Sequence, residues 1–368
     1  MPDPRFIISG GGTGGHIFPA LAIADELKKR FPKAAFLFVG ARDRMEMQRV
    51  PAAGYAIEGL WISGIQRKLS LKNLSFPLKL ISSLMKAGRI IAKFKPDLVI
   101  GTGGFASGPL LQSASQKGIP CLLQEQNSYP GITNRLLAKK AKAICVAYPR
   151  MERFFPAEKI VFTGNPIRRD LLAAAPEAAR AKKSLGLHPD KPLILVLGGS
   201  QGSARINELI AGCIEQDLLN HGQVFWQCGA LYFERLQHKF DQRLNEGLRL
   251  NAFIDNMAEA YAAADLVISR AGAGTLSELA VLQKASVLIP SPNVAEDHQT
   301  KNARALSEKN AAVLFPEKQS VPDLMTILKE HLAQPEKRLL LAENIAAFAR
   351  PQATAHIVDE IEKLLDDA

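Results

Sequence analysis

The sequence predicts an α/β protein built as two doubly wound parallel-sheet domains facing a cleft. Short apolar runs alternate with helical patterns along the whole chain, which is how βαβ units read in a sequence. Glycine clusters follow several of those runs at once and open the next helix, as in "FIISGGGTGGHIFPALAIADEL" at Phe6–Leu27. The two halves also repeat one another. "IISGGGTGGHIFPALAIADEL" is matched by "LILVLGGSQGSARINELIAGC", and "DLVIGTGGFASGPLLQSASQKGIP" (Asp97–Pro120) by "DLVISRAGAGTLSELAVLQKASV" (Asp265–Val287).

In order, the first half offers strands at Arg5–Ser9, Ala35–Val39, Leu98–Gly101, Pro120–Gln124, Ala143–Ala147 and Lys159–Phe162. The second offers Leu193–Leu197, Val224–Cys228, Leu248–Ala252, Leu266–Ser269 and Ser286–Ile289. The boundary falls in "FTGNPIRRD", where a strand end meets a Gly-Asn-Pro turn. This gives domains at 1–164 and 165–345. A tail at 346–368 is helical apart from Pro351, which breaks it, and is expected to pack back on the first domain. A ligand at the strand carboxyl ends of both domains would lie in the cleft.

A chain of 368 residues suits two domains. No apolar run reaches the roughly 18–20 residues of a membrane span, and glycines break the first run too early for a signal peptide. The four cysteines (Cys121, Cys145, Cys213, Cys228) form no CxxC, and read as reduced thiols of a cytoplasmic protein. The net charge of +10 is uneven: residues 1–165 hold 24 Lys/Arg against 10 Asp/Glu. From Gly59 to Pro96 eight bases and no acid are interleaved with Trp61, Ile62, Leu78, Leu80 and Ile81. That mixture fits an anionic lipid surface, while a solvated helix face is the plainer alternative. Nothing resembles a nucleic-acid module.

The first glycine loop, Gly10-x-Gly12-x-x-Gly15, matches a dinucleotide fingerprint, which also wants an acid at the end of the next strand. That strand ends instead at Gly40-Ala41-Arg42, which leaves an NADP-dependent oxidoreductase open. His16 points elsewhere. It stands where the loop enters the helix, with Pro19 in the first turn, and a helix N-terminus favours the neutral imidazole a base requires. It serves either as general base or as a substrate contact. "GTGGFASGP" (Gly101–Pro109) offers a second anion site at its helix start, or simply a tight turn. In "GGSQGSARIN", Ser200 and the amides of Gln201 and Gly202 suit a diphosphate. In "RAGAGTLSE", Gly272, Ala273 and Gly274 allow close backbone approach, Thr275 hydrogen-bonds, and Glu278 suits two vicinal ribose hydroxyls. His298, Gln299 and Asn302 of "AEDHQTKNA" suit sugar hydroxyls, and "QEQN" (Gln124–Asn127) sets polar groups at a strand end. No DxD pair is present for a metal–diphosphate donor.

The motifs "GGTGGHIFPALA", "GTGGFASGP", "EQN", "GNPIR", "GGSQGSARIN", "FIDNM", "SRAGAGTLSE" and "EDHQTKNA" run in order over residues 10–303. Together they resemble the MurG family of bacterial cell-wall N-acetylglucosaminyltransferases. The resemblance implies a GT-B fold of two Rossmann-like domains, the second holding most of the donor. It implies inverting transfer of GlcNAc from UDP-GlcNAc to the C4 hydroxyl of MurNAc in lipid I, giving lipid II for peptidoglycan. The reaction would run at the cytoplasmic face of the inner membrane, by a peripheral enzyme with no cofactor and no essential metal.

By the same resemblance, Phe253, Ile254 and Met257 line the uracil pocket and Glu278 binds the ribose. Ser200, Arg168 and the Gly272–Thr275 amides meet the diphosphate. Asn127, His298 and Gln299 surround the GlcNAc. Thr13, Gly14, Gly15, Gln201 and Gly202 complete the donor contacts, and Thr13 also faces the acceptor beside His16, the catalytic candidate. Gly104, Phe105, Ser107, Glu125 and Asn134 fall to the acceptor. Two positions depart from the family: Ala271 replaces a frequent serine, and Gln124 stands where some members carry histidine. A UDP-sugar epimerase of similar fold needs no lipid-facing surface and would act on UDP-GlcNAc without acceptor.

Overall fold

The computed structural model describes residues 3–64, 75–172, 176–199, 201–244, 246–292, 294 and 297–366. The chain divides into two units, Met1–Arg169 with Arg350–Ala368, and Asp170–Ala349. The division thus lies a few residues beyond the Gly164/Asn165 boundary read from the sequence. The "GNPIR" segment is tied into the first unit: Asn165 Nδ2 donates to the Gln126 carbonyl at 3.2 Å, and the Ile167 N–H to Thr354 Oγ1 at 3.1 Å.

The first unit holds strands β1 (Arg5–Gly10), β2 (Ala35–Ala41), β3 (Ile57–Leu60), β4 (Leu98–Gly103), β5 (Cys121–Glu125), β6 (Ala143–Val146) and β7 (Ile160–Phe162). They form one sheet in the order β3-β2-β1-β4-β5-β6-β7, every pairing parallel. The second unit holds β8 (Leu193–Leu197), β9 (Gln223–Gln227), β10 (Leu248–Asn251), β11 (Leu266–Ser269), β12 (Ser286–Leu288) and β13 (Val313–Leu314). Their order is β10-β9-β8-β11-β12-β13, again all parallel. The central strands are largely buried, and β8, "LILVL", is a continuous apolar run with every residue buried, as in a parallel sheet covered on both faces. Two of the four edge strands, β3 and β13, were not read from the sequence: both are short, and "IEGL" of β3 carries a half-buried glutamate.

Strand order reverses between β1 and β4 in one unit and between β8 and β11 in the other. At such a switch point the loops leaving neighbouring strands diverge and open a crevice at the strand carboxyl ends. The four glycine loops are the loops leaving those four strands. The helix after β1, Gly14–Arg30, buries Ile17, Ala20, Leu21, Ile23, Ala24 and Leu27, and its last turn carries Lys28, Lys29 and Arg30 against the negative end of the dipole. Pro19 sits six residues into it, in the second turn rather than the first, where it cannot donate to the Gly15 carbonyl.

The tail runs as helices Pro335–Ala346 and Ala353–Asp366, separated around Pro351. The last helix places Ile357, Val358 and Ile361, all fully buried, in a cluster with Phe6, Ile8, Leu98 and Leu122 of the first sheet. Each such side chain stabilises by about 1.5–3 kcal/mol. Arg30 ties the edge of this helix through Asp359 (2.6 Å), Glu362 (3.0 Å) and the Ala355 carbonyl (3.1 Å). Among the described residues, no helix is long and apolar enough to cross a membrane.

Candidate active site

In the first unit the loops after β1 and β4 are packed into one another. A Cβ on Gly104 (φ +92°) would overlap the Gly11 carbonyl oxygen, and one on Gly10 would overlap the Thr102 hydroxyl. A side chain neither loop advertises sets their shape. Glu46, fully buried, accepts the Gly12 N–H through Oε2 at 2.9 Å and the Ala41 N–H through Oε1 at 3.0 Å. Its carboxylate fills the space a side chain at Gly11 would need. From that anchor the loop turns into the Gly14–Arg30 helix. Thr13 is an extended N-cap that makes no side-chain capping bond, and Thr13 and Gly15 are exposed. The unused amides of such a first turn are an anion site.

His16 is half-buried at this helix start. Its Nδ1 lies 2.8 Å from Gln126 Oε1, and Thr102 Oγ1 donates to its carbonyl at 2.7 Å. Gly103 (φ +102°) lies under the ring: a Cβ there would come within 2.9 Å of both Cε1 and Nδ1. Phe105, 42% exposed, lies over Gly12 and against Gly64.

Three residues assigned to the acceptor, Ser107, Glu125 and Asn134, are buried. Ser107 is fully buried, with its Oγ within 3.0 Å of the Ser9 carbonyl and 2.8 Å of the Gly103 carbonyl, because it opens the next helix beneath the loop. Glu125 is buried and takes four donors: Asn127 N–H (3.0 Å), Asn127 Nδ2 (3.2 Å), Gly131 N–H (3.1 Å) and Asn134 Nδ2 (2.8 Å). Asn134 is buried beside it. Glu125 and Asn134 thus fix the loop that presents Asn127, and Asn134 Oδ1 is buried with no hydrogen-bond partner among the described residues.

In the second unit the loop after β8 closes against the loop after β9. A Cβ on Gly202 (φ +80°) would overlap the Cys228 carbonyl, and one on Gly229 (φ +92°) the Gln201 carbonyl. Ser200 lies outside the described residues. Ser203 caps the Ala204–Glu215 helix, accepting the Ile206 N–H at 3.3 Å. Arg270 donates to Ser203 Oγ at 2.7 Å while paired with Glu317 at 3.1 Å, which joins the β8 and β11 loops. Gln227 was not singled out from the sequence, yet it joins two others. Its Oε1 accepts the Ile254 N–H at 2.9 Å and its Nε2 donates to the Gly199 carbonyl at 3.0 Å. Of the "FIDNM" residues, Ile254 and Met257 are buried and Phe253 is half-buried.

The helix after β11, Ala273–Val281, opens at Gly272 in extended conformation, and a Cβ on Gly274 would meet nothing within 4 Å. Ala271 is fully buried. Glu278 follows on this helix with Tyr261 Oη donating to its Oε2 at 2.9 Å; Tyr261 is buried and was not foreseen. Gln299 Oε1 accepts the Ser291 N–H at 2.9 Å, beside His298 at the start of His298–Ser307. Ala295 and Glu296 lie outside the described residues. Arg168 falls in the first unit, 5.2 Å from the Phe18 ring on the His16 helix. Among the described residues, no three His, Cys, Asp or Glu side chains converge as a metal site.

Residues 6–146 match the glycosyltransferase family 28 N-terminal domain, and residues 193–360 match the family 28 C-terminal domain. A UDP-N-acetylglucosamine–N-acetylmuramyl-(pentapeptide) pyrophosphoryl-undecaprenol N-acetylglucosamine transferase of Flavobacterium psychrophilum is 53% identical over 366 residues, covering 100% of this chain and 99% of its own. One of the same name from Cytophaga hutchinsonii is 53% identical over 370 residues, at 100% and 99% coverage. The crystal structure of Acinetobacter baumannii MurG superposes with a TM-score of 0.74 at 31% identity, covering 98% of this chain and 100% of that one. The chain belongs to the MurG family. Its two parallel-sheet units are the GT-B architecture of MurG, and family 28 makes it a glycosyltransferase. A UDP-N-acetylglucosamine 2-epimerase shares the fold at a TM-score of 0.65 and 13% identity. Fold alone thus does not separate the two chemistries; the full-length sequence relationship to MurG does.

Proposed function

We propose that this chain moves GlcNAc from UDP-GlcNAc to the C4 hydroxyl of MurNAc in undecaprenyl-pyrophosphoryl-MurNAc-pentapeptide, with inversion at the anomeric carbon. The observation that carries the reading is the 53% identity, end to end, with relatives named for that transfer.

The second unit takes the donor. Uracil lies against Phe253, Ile254 and Met257, and the Glu278 carboxylate, oriented by Tyr261, accepts the ribose hydroxyls. The diphosphate meets the first amides of the Ala273–Val281 helix and the Gln201–Gly202 loop. Those dipoles hold the charge that grows as the C1–O bond to UDP breaks and its electron pair leaves with the diphosphate. The sugar is held by His298, Gln299 and Asn127, the last positioned through Glu125.

The first unit takes the acceptor at the loops after β1 and β4, with Thr13, Gly104 and Phe105 at their rim. As the C4 oxygen bonds to C1, its proton passes to His16. General-base help of this kind contributes about 10²–10⁴-fold.

The acceptor's lipid implies a membrane surface. On the Phe76–Phe94 helix, Leu78, Ile81 and Met85 are exposed at i, i+3 and i+7, on one face of the helix, with Trp61 exposed beside Lys79. Apolar anchors among bases fit anionic headgroups and their acyl boundary. Residues 65–74 of the basic stretch lie outside the described residues. Location at the cytoplasmic face of the inner membrane follows from this reading.

The test is thermal unfolding with UDP, UDP-GlcNAc and NADPH, each in EDTA, followed by transfer to a lipid I analogue. A ligand at a hundred times its dissociation constant adds about 2.7 kcal/mol, which is a rise of roughly 5–10 °C for units of this size. Stabilisation by UDP and UDP-GlcNAc, with GlcNAc appearing on the acceptor, supports the proposal. Stabilisation by NADPH alone, or conversion of UDP-GlcNAc without acceptor, overturns it.

A further inference from the structure

We infer that Gln126 is the positioning residue that fixes His16 in its Nδ1–H form, leaving the Nε2 lone pair as the proton acceptor. This rests on His16 being the base in the transfer proposed above, and it names the nitrogen that acts and the group that selects it.

The argument begins with the orientation of the Gln126 amide. Its nitrogen has three oxygens around it: the Thr102 carbonyl at 2.8 Å, the Gln124 carbonyl at 3.2 Å and Gln124 Oε1. Turning the amide over would set its oxygen against all three, so Nε2 faces them and Oε1 faces the histidine. Gln124 is held in its turn, its Nε2 donating to Asn165 Oδ1 at 3.2 Å, while Asn165 Nδ2 donates to the Gln126 carbonyl. Gln124, Gln126 and Asn165 are all buried. The chain of donors runs in one sense, and at its end a carbonyl-type oxygen lies 2.8 Å from His16 Nδ1. An amide oxygen only accepts, so Nδ1 carries the hydrogen. In the neutral ring the other nitrogen, Nε2, is then the acceptor.

The same hydrogen bond opposes a ring turned over, which would set Cδ2–H in place of Nδ1 against Gln126 Oε1. Gly103 leaves room beside the ring, where a Cβ would come within 2.9 Å of Nδ1 and Cε1. A proton accepted at Nε2 makes an imidazolium whose Nδ1–H still donates to the same amide oxygen, so no partner is lost as charge develops. Gln124, which departs from the histidine of some relatives, thereby becomes part of the selector: its side-chain oxygen helps keep the Gln126 amide from turning over.

The experiment is two-bond ¹H–¹⁵N correlation of histidine-labelled full-length protein, with His16 assigned by its loss in His16→Ala. A pyrrole-type Nδ1 and a pyridine-type Nε2 in the unliganded protein are expected. The opposite pattern overturns the inference directly, and this readout does not depend on catalysis. In Gln126→Leu the His16 signals should shift towards a mixture of tautomers. There kcat should fall about tenfold, less than the roughly 10²–10⁴-fold that a general base contributes in full, with KM for UDP-GlcNAc and UDP affinity unchanged. Wild-type kcat in Gln126→Leu, or a loss shared equally by UDP affinity, also overturns it. If His16→Ala itself keeps full kcat, the base reading fails separately, whatever tautomer is seen.

Discussion

Changing Glu46 to glutamine keeps its volume and removes one acceptor. The carboxylate satisfies two backbone N–H groups, Gly12 at 2.9 Å and Ala41 at 3.0 Å, one on each oxygen. Glutamine has one oxygen, so one of the two N–H groups must face an NH₂. A buried donor left unsatisfied costs about 1–3 kcal/mol. For a unit of this size that is a fall in Tm of roughly 2–12 °C. Gly12 leads into the helix that carries His16, so transfer should slow as well. UDP affinity should hold, because the residues proposed to bind UDP are in the other unit. The assay is thermal unfolding by circular dichroism beside a UDP titration and a transfer rate. An unchanged Tm would refute the idea that Glu46 anchors the loop, and an equal loss of UDP affinity would refute the division of labour between units.

Tyr261→Phe keeps a buried ring and deletes the hydroxyl that donates to Glu278 at 2.9 Å. A hydrogen bond to a charged group is worth about 1.5–3 kcal/mol, so the Kd for UDP by calorimetry should rise roughly tenfold or more; an unchanged Kd would mean Glu278 is oriented without it. The thiols should be inert until the protein unfolds. Burial pushes Cys121 and Cys213 up to about 12 and Cys228 to about 11. Only the thiolate reacts, so alkylation at pH 8 should run about 10²–10³ times slower than after unfolding in urea. Because these folded-state values are raised, the stability they add is full below the ordinary thiol range and is lost as pH rises from there to about 11–12. Rapid labelling of native protein at pH 8 would contradict the burial.

What the sequence disclosed about fold and site follows a physical divide. Strand cores and glycine loops are written locally, as apolar runs such as "LILVL" and as backbone positions like Gly202 that exclude a side chain. The loops were therefore found, and with them the strand ends where a ligand fits. Two of the four edge strands, β3 and β13, were not: β13 has two residues, and its pairing depends on β12 lying beside it. Roles set by distant partners were equally hidden. Glu46 meets Gly12 across 34 positions, and nothing near either residue announces it. Ser107, given to the acceptor by the family resemblance, is buried, its Oγ bonded to the Ser9 carbonyl, a contact set by the end of β1, 98 positions away. Glu125 takes four donors from a loop that only the fold places around it. Tyr261 and Gln227 read as core and strand, and only the fold turns their polar ends towards Glu278 and Ile254.

The helix Ala353–Asp366 has a consequence for the order in which the protein comes into being. The sheet of the first unit is made early, but the helix that covers Phe6, Ile8 and Leu98 leaves the ribosome only after the whole second unit. At about 5–20 residues per second, the intervening segment keeps that apolar face waiting for tens of seconds. The second unit, Asp170–Ala349, is continuous in sequence and has no such wait. It is the later unit to be translated and the earlier one able to finish folding, while the nascent first unit carries a bare hydrophobic face that a chaperone, or the membrane itself, is free to cover in the interval.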